Sequence, residues 1–147
     1  MNTYKINEPK WDRDNEEWYI KEKLENGQTM YLAFQLVDET IDTDYWNICL
    51  CIYNKRKHID DLLEHTDFVG KNPLLSIRVI RTAFDQLEKT LVERSWVRNN
   101  YVFCSWTDNR RRDVYYRYLS RKGYAYGKYD GRKVIYKIYD KMTEMVN

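Results

Sequence analysis

A helical apolar face that lies between two strand-like runs sets the expected topology of this chain. Five apolar residues recur at spacings of three and four, which predicts one side of an α-helix. They are Ile77, Ile80, Phe84, Leu87 and Leu91. The runs WNICLCIY at 46–53 and YVFCSW at 101–106 are apolar at most positions and predict strands. A long helix between two core strands requires a crossover, so we expect these strands to be parallel.

The first third of the chain has the pattern of an antiparallel meander. Residues 17–23 alternate between apolar and polar positions, and residues 30–37 supply a partner strand. Asn26-Gly27 lies between them and favours a two-residue hairpin turn. The run at 46–53 is then the third strand, and its continuous apolar character predicts a central strand that is covered on both faces.

The long helix has a start signal at Asn72 and Pro73. Asparagine can cap a helix, and proline is favoured at the first helical position. Before it, the charged segment 54–73 has a short apolar patch, which predicts a short helix around residues 60–65.

The last part of the chain predicts a helix followed by a hairpin. A second helix over residues 110–122 is preceded by the capping run Thr-Asp-Asn and stopped by Gly123. An Asp-Gly pair then separates two predicted strands, residues 124–129 and 133–139. We therefore predict a single α/β domain over 1–147, of the mixed-sheet α+β type. Its sheet is mostly antiparallel with a central parallel pair, a long crossover helix, a second helix and a C-terminal hairpin.

The net charge of +2 is unevenly distributed along the chain. Residues 1–67 contain 8 Lys and Arg against 15 Asp and Glu, whereas residues 68–147 contain 17 against 8. The second half therefore favours a polyanion or a phosphorylated ligand, although such an asymmetry also serves solubility alone.

The cysteines and histidines do not cluster as a zinc site requires. Cys49, Cys51 and Cys104 lie in apolar runs and are expected to be buried small hydrophobes in a reducing compartment. The two histidines, His58 and His65, have no nearby cysteine, so we expect no structural metal.

No apolar run approaches the roughly 18 residues that a membrane span needs. The first residues, MNTYKINEPKWDRDNEEWY, also have no apolar core of the kind found in signal peptides. We therefore expect a cytoplasmic protein without a membrane partner.

The end of the chain carries a resemblance to a known family. A helix, the sequence KGY at 122–124 and a β-hairpin with an apolar second strand resemble the C-terminal signature of the GCN5-related N-acetyltransferase (GNAT) superfamily. The order strand, loop, long helix, strand and helix between residues 46 and 138 also matches the core of that family. The overall pattern is similar to small GNAT-like proteins encoded by bacteriophages.

The resemblance implies acetyl-CoA as cofactor, with its pyrophosphate on backbone N–H groups at the start of the long helix. The matching segment is FVGKNPLLS at 68–76, which has one glycine where the family pattern Q/R-x-x-G-x-G/A has two small residues. The implied cofactor-binding residues are Val69, Gly70, Lys71, Asn72, Leu74, Leu75, Ser76, Asn109 and Arg112.

The resemblance also implies a catalytic acid on the second helix. Many members have a tyrosine four residues before the glycine, where it protonates the departing CoA thiolate, but this chain has Leu119 there. Tyr118 and Tyr115 lie close by, and either is a substitute acid or a core contact. Asp108 is a candidate general base, as is Glu64.

The triple arginine at 110–112 lies in the first turn of the second helix, where cations are mildly unfavourable. Its expected partners are the 3′-phosphate of CoA, a nucleic-acid backbone or an acidic protein surface, and the alternative is a solvated turn.

Three functions are therefore expected in turn. The first is acetyl transfer from acetyl-CoA to an amine on an unknown acceptor. The second is a catalytically inactive GNAT-fold protein that binds a host protein or nucleic acid. The third is a nucleic-acid binder that uses the arginines together with exposed Trp106 or Tyr124.

Overall fold

The structure, a computed structural model, describes residues 6–24, 27–53, 73–94, 97–106 and 108–140, and of residues 73–76 and 94 the backbone alone. Within these residues the strands are β1 (Lys10–Asp12), β2 (Glu17–Lys23), β3 (Thr29–Glu39), β4 (Thr43–Tyr53), β5 (Asn99–Cys104), β6 (Ala125–Tyr129) and β7 (Arg132–Tyr139). The helices are α1 (Pro73–Arg94) and α2 (Asn109–Leu119), and a 3₁₀ turn follows α2 at Ser120–Lys122.

The strands form one mixed sheet in the order β1-β2-β3-β4-β5-β7-β6. β4 and β5 are parallel, with a ladder that runs from Thr43 opposite Asn99 to Asn47 opposite Phe103. The β1–β2, β2–β3, β5–β7 and β6–β7 ladders are antiparallel. The predicted α+β class is thus confirmed, with its mostly antiparallel sheet, central parallel pair, long helix between the parallel strands, second helix and C-terminal hairpin. β1 was not predicted, because three residues are too few to show an alternating pattern.

The chain divides into two compact units, Met1–Gln35 with Cys49–Leu91 and Leu36–Ile48 with Val92–Asn147. We refer to them as unit 1 and unit 2. The single domain over 1–147 stays a prediction.

The core of unit 1 is formed by α1 and one face of its strands. Of the five predicted helix positions, Phe84, Leu87 and Leu91 are buried, and Ile77 and Ile80 are half-buried. Phe84 meets Phe34 of β3 edge to face, with ring centroids 5.4 Å apart. Each such buried side chain contributes roughly 1.5–3 kcal/mol through the loss of exposed apolar surface.

The core of unit 2 contains a buried polar contact beside its apolar residues. Val102 of β5 and Ile135 of β7 are fully buried. The indole N–H of Trp46 donates to Asn100 Oδ1 at 2.8 Å, and both residues are buried. This bond satisfies an indole N–H that would otherwise be buried without an acceptor.

The β6–β7 hairpin has the predicted Asp130-Gly131 turn. Tyr129 pairs with Arg132, which leaves two residues in the loop, and their φ angles are 51° and 76°. Two positive φ angles in a two-residue loop match the right-handed twist of the strands, and glycine adopts one without strain.

Helix α2 begins and ends as its capping residues predict. The Asp108 carboxylate accepts a hydrogen bond from the Arg111 backbone N–H at 2.8 Å, which caps the first turn. Gly123 has a φ of 94° after the 3₁₀ turn, so the chain reverses there. The α-helix itself ends at Leu119, three residues before the predicted end, because the last turn tightens to 3₁₀ geometry.

Two boundary predictions are wrong. The first hairpin closes between Leu24 and Gln28, whose backbone N–H and C=O are 2.7 Å apart, so its loop has three residues and not two. β5 runs from Asn99 to Cys104 and not over 101–106, because Asn99 and Asn100 take part in the ladder despite their polarity. The short helix predicted around residues 60–65 lies outside the described residues.

Candidate functional site

The predicted phosphate-binding segment is described only at its helical end. Val69, Gly70, Lys71 and Asn72 lie outside the described residues. Pro73 begins α1, as predicted, and the backbone of Leu74, Leu75 and Ser76 forms its first turn. That turn contains no acidic residue, so no side chain within it competes for the positive end of the helix dipole.

Asp108 is held as a helix cap. Its carboxylate accepts hydrogen bonds from the Arg111 backbone N–H at 2.8 Å and from Arg111 Nη1 at 2.7 Å. The backbone hydrogen bond and the nearby guanidinium lower the pKa of the Asp108 carboxyl. A carboxylate with a lowered pKa is a weak proton acceptor, so this geometry disfavours Asp108 as a general base.

Asn109 and Arg112 lie in the first turn of α2. Asn109 is the first helical residue and is exposed. Arg112 Nη2 lies 3.0 Å from the carboxylate of its neighbour Asp113. Two of the three consecutive arginines, Arg111 and Arg112, therefore already have a carboxylate partner within α2.

The tyrosines of α2 occupy different environments. Leu119, which stands where the GNAT pattern has a tyrosine, is buried as a core contact. Tyr115 and Tyr118 are half-buried and both engage in contacts with other residues. Tyr116, which was not predicted to have a role, stacks on Tyr126 of β6 with centroids 4.3 Å apart.

The aromatic residues proposed for base stacking are not both available. Tyr124 is buried, and its hydroxyl lies 3.0 Å from the hydroxyl of Tyr139. The prediction that Tyr124 is exposed is therefore wrong, because the reversal at Gly123 turns its ring into unit 2. Trp106 is half-buried and contacts the Tyr126 ring edge to face.

The three cysteines are free thiols, as predicted. Cys51 and Cys104 are buried, whereas Cys49 is partly exposed. Burial raises the pKa of Cys49 and Cys104 to about 12 and that of Cys51 to about 11. All three are therefore protonated at neutral pH and poorly suited to act as nucleophiles.

Unit 1 contains a buried acidic contact that the sequence did not indicate. Glu17 of β2 is buried, and its carboxylate accepts a hydrogen bond from the Tyr31 hydroxyl of β3. Burial raises the pKa of Glu17, the Tyr31 bond lowers it in part, and Asp12 raises it further. Burial and the Glu17 contact also raise the pKa of Tyr31. Buried titratable groups with shifted pKa values are common at functional sites.

A substitution at Glu17 tests this contact through its pH dependence. The folded-state pKa is above the unfolded value, so the stability that depends on the bound proton is greatest at low pH and falls as the pH rises through the folded pKa. Glu17→Gln keeps an acceptor for Tyr31 and removes the buried charge. We expect it to raise the free energy of unfolding at pH 7 by about 1 kcal/mol. Below about pH 4 it should have no effect, since the carboxyl is then protonated in both states.

Urea unfolding of both proteins at the two pH values measures this difference. Glu8→Gln is the matched control, because Glu8 is an exposed residue of unit 1. Destabilisation by Glu17→Gln at pH 7 would show that the ionised carboxylate stabilises the fold.

Unit 2 has an open cleft of about 520 Å³. Its lining residues are Val37, Asp38, Tyr45, Tyr101, Lys128, Tyr129 and Asp130. The three tyrosine rings contact one another, with centroid separations of 5.2 Å (Tyr45–Tyr101), 5.4 Å (Tyr45–Tyr129) and 6.0 Å (Tyr101–Tyr129). The cleft therefore has an aromatic floor with polar and charged groups around it.

A second layer of rings supports this floor. Phe103 stacks on Tyr129 at 4.3 Å, and Tyr136 stacks on Tyr101 at 5.0 Å. Tyr136 also lies over Gly127, where an added Cβ would fall 2.6 Å from the Tyr136 Cδ1 atom. Glycine at this position thus leaves room for the ring. The Tyr101 hydroxyl donates to the Lys128 carbonyl oxygen at 3.1 Å, which fixes its direction.

The pKa values of the cleft tyrosines reflect their surroundings. Burial raises the pKa of Tyr101 to about 12, and the neighbouring tyrosines add to the rise. Burial also raises the pKa of Tyr129, and the carboxylates of Asp38 and Asp130 raise it further. Both hydroxyls therefore keep their protons at neutral pH, and both carboxylates act on Tyr129.

Sequence reasoning missed this cleft, although part of the signal is present. Tyr101 and Phe103 alternate along β5, and alternate residues of a strand share a face. The residues opposite them on β7 are Ile138 and Tyr136. The alternation alone therefore predicts aromatic rings on one face, whereas their assembly with β6 depends on the strand order.

Among the described residues, no group of three or more His, Cys, Asp and Glu side chains is arranged to hold a metal ion. The same part of the chain contains no helix that is both long enough and apolar enough to cross a membrane.

Comparisons with known proteins add no relative. No family model, no curated protein and no solved structure matches this chain.

Proposed function

We propose that this chain is a GNAT-fold, acyl-CoA-dependent N-acetyltransferase that transfers an acetyl group to an amine. The observation that supports this most strongly is the order of elements from β4 to β7. The parallel strands β4 and β5 are connected through α1, and β5 is followed by α2, Gly123-Tyr124 and the β6–β7 hairpin. The resemblance in sequence implies this same order of strand, long helix, strand, helix, Gly-aromatic pair and two strands.

In this proposal the first turn of α1 holds the cofactor diphosphate. The first N–H groups of a helix have no partner within the helix, and the positive end of the dipole attracts anions. Pro73 offers no N–H, so Leu74, Leu75 and Ser76 supply the donors of this turn. The absence of acidic residues from the turn is consistent with this role.

The chemical step requires an acid for the thiolate. The amine nitrogen attacks the thioester carbonyl, the C–N bond forms, the C–S bond breaks, and CoA leaves as a thiolate that takes up a proton. Leu119 is a buried apolar residue and cannot donate that proton. In this proposal Tyr118 or Tyr115 donates it, while the cap at Asp108 stays engaged with Arg111.

Thermal unfolding with and without acetyl-CoA tests the proposal. A ligand at about 100 times its Kd stabilises the folded state by about 2.7 kcal/mol. For a chain of this length we expect a rise in Tm of roughly 6–10 °C. No rise at millimolar acetyl-CoA would contradict the proposal.

A charge introduced at Ser76 tests the place of binding. Ser76→Asp puts an acidic side chain in the first turn of α1, where it stabilises the helix but repels a diphosphate. We expect the variant to fold and to lose most of the acetyl-CoA-dependent rise in Tm. Gln86→Glu is the matched control, because it adds the same charge at an exposed position in the middle of α1. An equal loss in both variants would point to net charge and not to the first turn.

A second candidate function is a catalytically inactive GNAT-fold protein that binds a host protein or nucleic acid. It is favoured by Leu119, which is buried where the family pattern has the acid tyrosine, and by the engagement of Asp108 as a cap. A fold does not by itself fix an activity.

The nucleic-acid form of this candidate predicts binding to a single-stranded oligonucleotide that weakens steeply between about 50 and 200 mM salt. Gly70→Trp, which would block a cofactor cradle, should leave this affinity unchanged. A flat response to salt would contradict binding through the basic residues of α2.

A further inference from the structure

The tyrosine cleft of unit 2 has the rigidity of a preformed binding site. Tyr45, Tyr101 and Tyr129 are each half-buried and contact one another within 6.0 Å. Phe103 and Tyr136 stack against two of these rings and limit their rotation. A ligand that settles on this floor therefore orders few side chains, which lowers the entropic cost of binding.

Two carboxylates lie at the rim of this floor. Asp38 is an exposed residue of β3, and Asp130 is an exposed residue of the β6–β7 turn. Both act on the Tyr129 hydroxyl, so both face the same ring. Neither forms an ion pair with another residue in the described part of the chain. Asp38 Oδ1 accepts the Glu39 backbone N–H at 2.8 Å, which orients that carboxylate.

These groups select for the charge and the shape of a ligand. Aromatic faces carry negative electrostatic potential and attract organic cations, and ammonium groups bind carboxylates through charge-assisted hydrogen bonds. The cleft contains one lysine against two carboxylates, so its lining disfavours an anion. A volume of about 520 Å³ is within the range of small-molecule sites.

We propose that this cleft binds a small alkylammonium compound, with its ammonium group at Asp38 and Asp130 and its alkyl chain on the tyrosine rings. This inference does not depend on acetyl-CoA binding or on acetyl transfer. It concerns unit 2 alone and is tested without the cofactor.

Titration of the ¹⁵N-labelled full chain with n-butylammonium chloride tests the site. We expect saturable shifts of backbone resonances at Tyr45, Tyr101 and residues 128–131. Sodium chloride at the same ionic strength and neutral n-butanol are the reference titrations and should not reproduce the shifts. Shifts that do not saturate, or that lie elsewhere in the chain, would overturn the proposal.

Neutral variants separate direct contacts from general electrostatic attraction. The double variant Asp38→Asn with Asp130→Asn should weaken the affinity about tenfold, since it removes both carboxylates. Asparagine tolerates the positive φ of position 130, so the turn is retained. Glu39→Gln is the control, because Glu39 is exposed beside Asp38 but does not line the cleft.

Equal affinity of the double variant and the wild type would overturn the proposal. A short lysine-containing peptide provides the second comparison. If it binds more tightly than n-butylammonium, the cleft belongs to a protein partner and the assignment to a small amine is wrong.

Discussion

Replacement of Ile20 by alanine is expected to lower the free energy of unfolding by about 2–5 kcal/mol. Ile20 of β2 is 1% exposed and lies opposite Leu32 of β3, which is 2% exposed. Truncation to alanine removes three buried carbon atoms and leaves a cavity, because a packed core relaxes only in part. Chemical denaturation followed by circular dichroism and by tryptophan fluorescence measures the change.

Ile41→Ala is the matched control for this prediction. Ile41 lies between β3 and β4 and is 96% exposed, so the same change of side chain removes almost no buried surface. We expect an effect within about 0.5 kcal/mol of zero. Similar losses in the two variants would contradict the packing described for unit 1.

Replacement of Asn100 by alanine is expected to lower the free energy of unfolding by about 2–3 kcal/mol. Asn100 Oδ1 accepts the indole N–H of Trp46, and both side chains are less than 5% exposed. The alanine variant leaves this N–H without its acceptor. It also removes the weaker bond from Asn100 Nδ2 to the Arg98 carbonyl oxygen, at 3.4 Å. Urea denaturation measures the loss.

A double-mutant cycle separates the hydrogen bond from the change in packing. Trp46→Phe removes the donor and keeps an aromatic ring. If the bond carries the effect, Asn100→Ala should cost at least 1 kcal/mol less in the Trp46→Phe background, because no unpaired donor is left. Equal costs in the two backgrounds would show that the loss at Asn100 comes from packing or from its other contacts.

The parts of the fold that follow local rules could be predicted from the sequence. The spacing of Phe84, Leu87 and Leu91 predicts the buried face of α1, and the Asp130-Gly131 pair predicts the β6–β7 turn. The parallel pairing of β4 and β5 follows because a helix lies between them. In each case the information lies within a few residues or in the order of elements.

The candidate sites depend on contacts that local patterns do not encode. Glu17 and Tyr31 meet across two strands, and a glutamate at an alternating position is ordinarily expected to be solvent-exposed. Tyr129 reaches Phe103 through the strand order β5-β7-β6, which no local signal provides. The buried position of Tyr124 depends likewise on its contact with Tyr139, fifteen residues away.

The most direct test of the proposed function is the response of the first backbone amides of α1 to acetyl-CoA. Amide resonances and hydrogen exchange of the ¹⁵N-labelled chain report on Leu74, Leu75 and Ser76 individually. If these amides hold the diphosphate, acetyl-CoA will shift their resonances saturably and slow their exchange. If acetyl-CoA at millimolar concentration leaves them unchanged, or binds and perturbs only other residues, the helix start does not hold the cofactor and the account is contradicted.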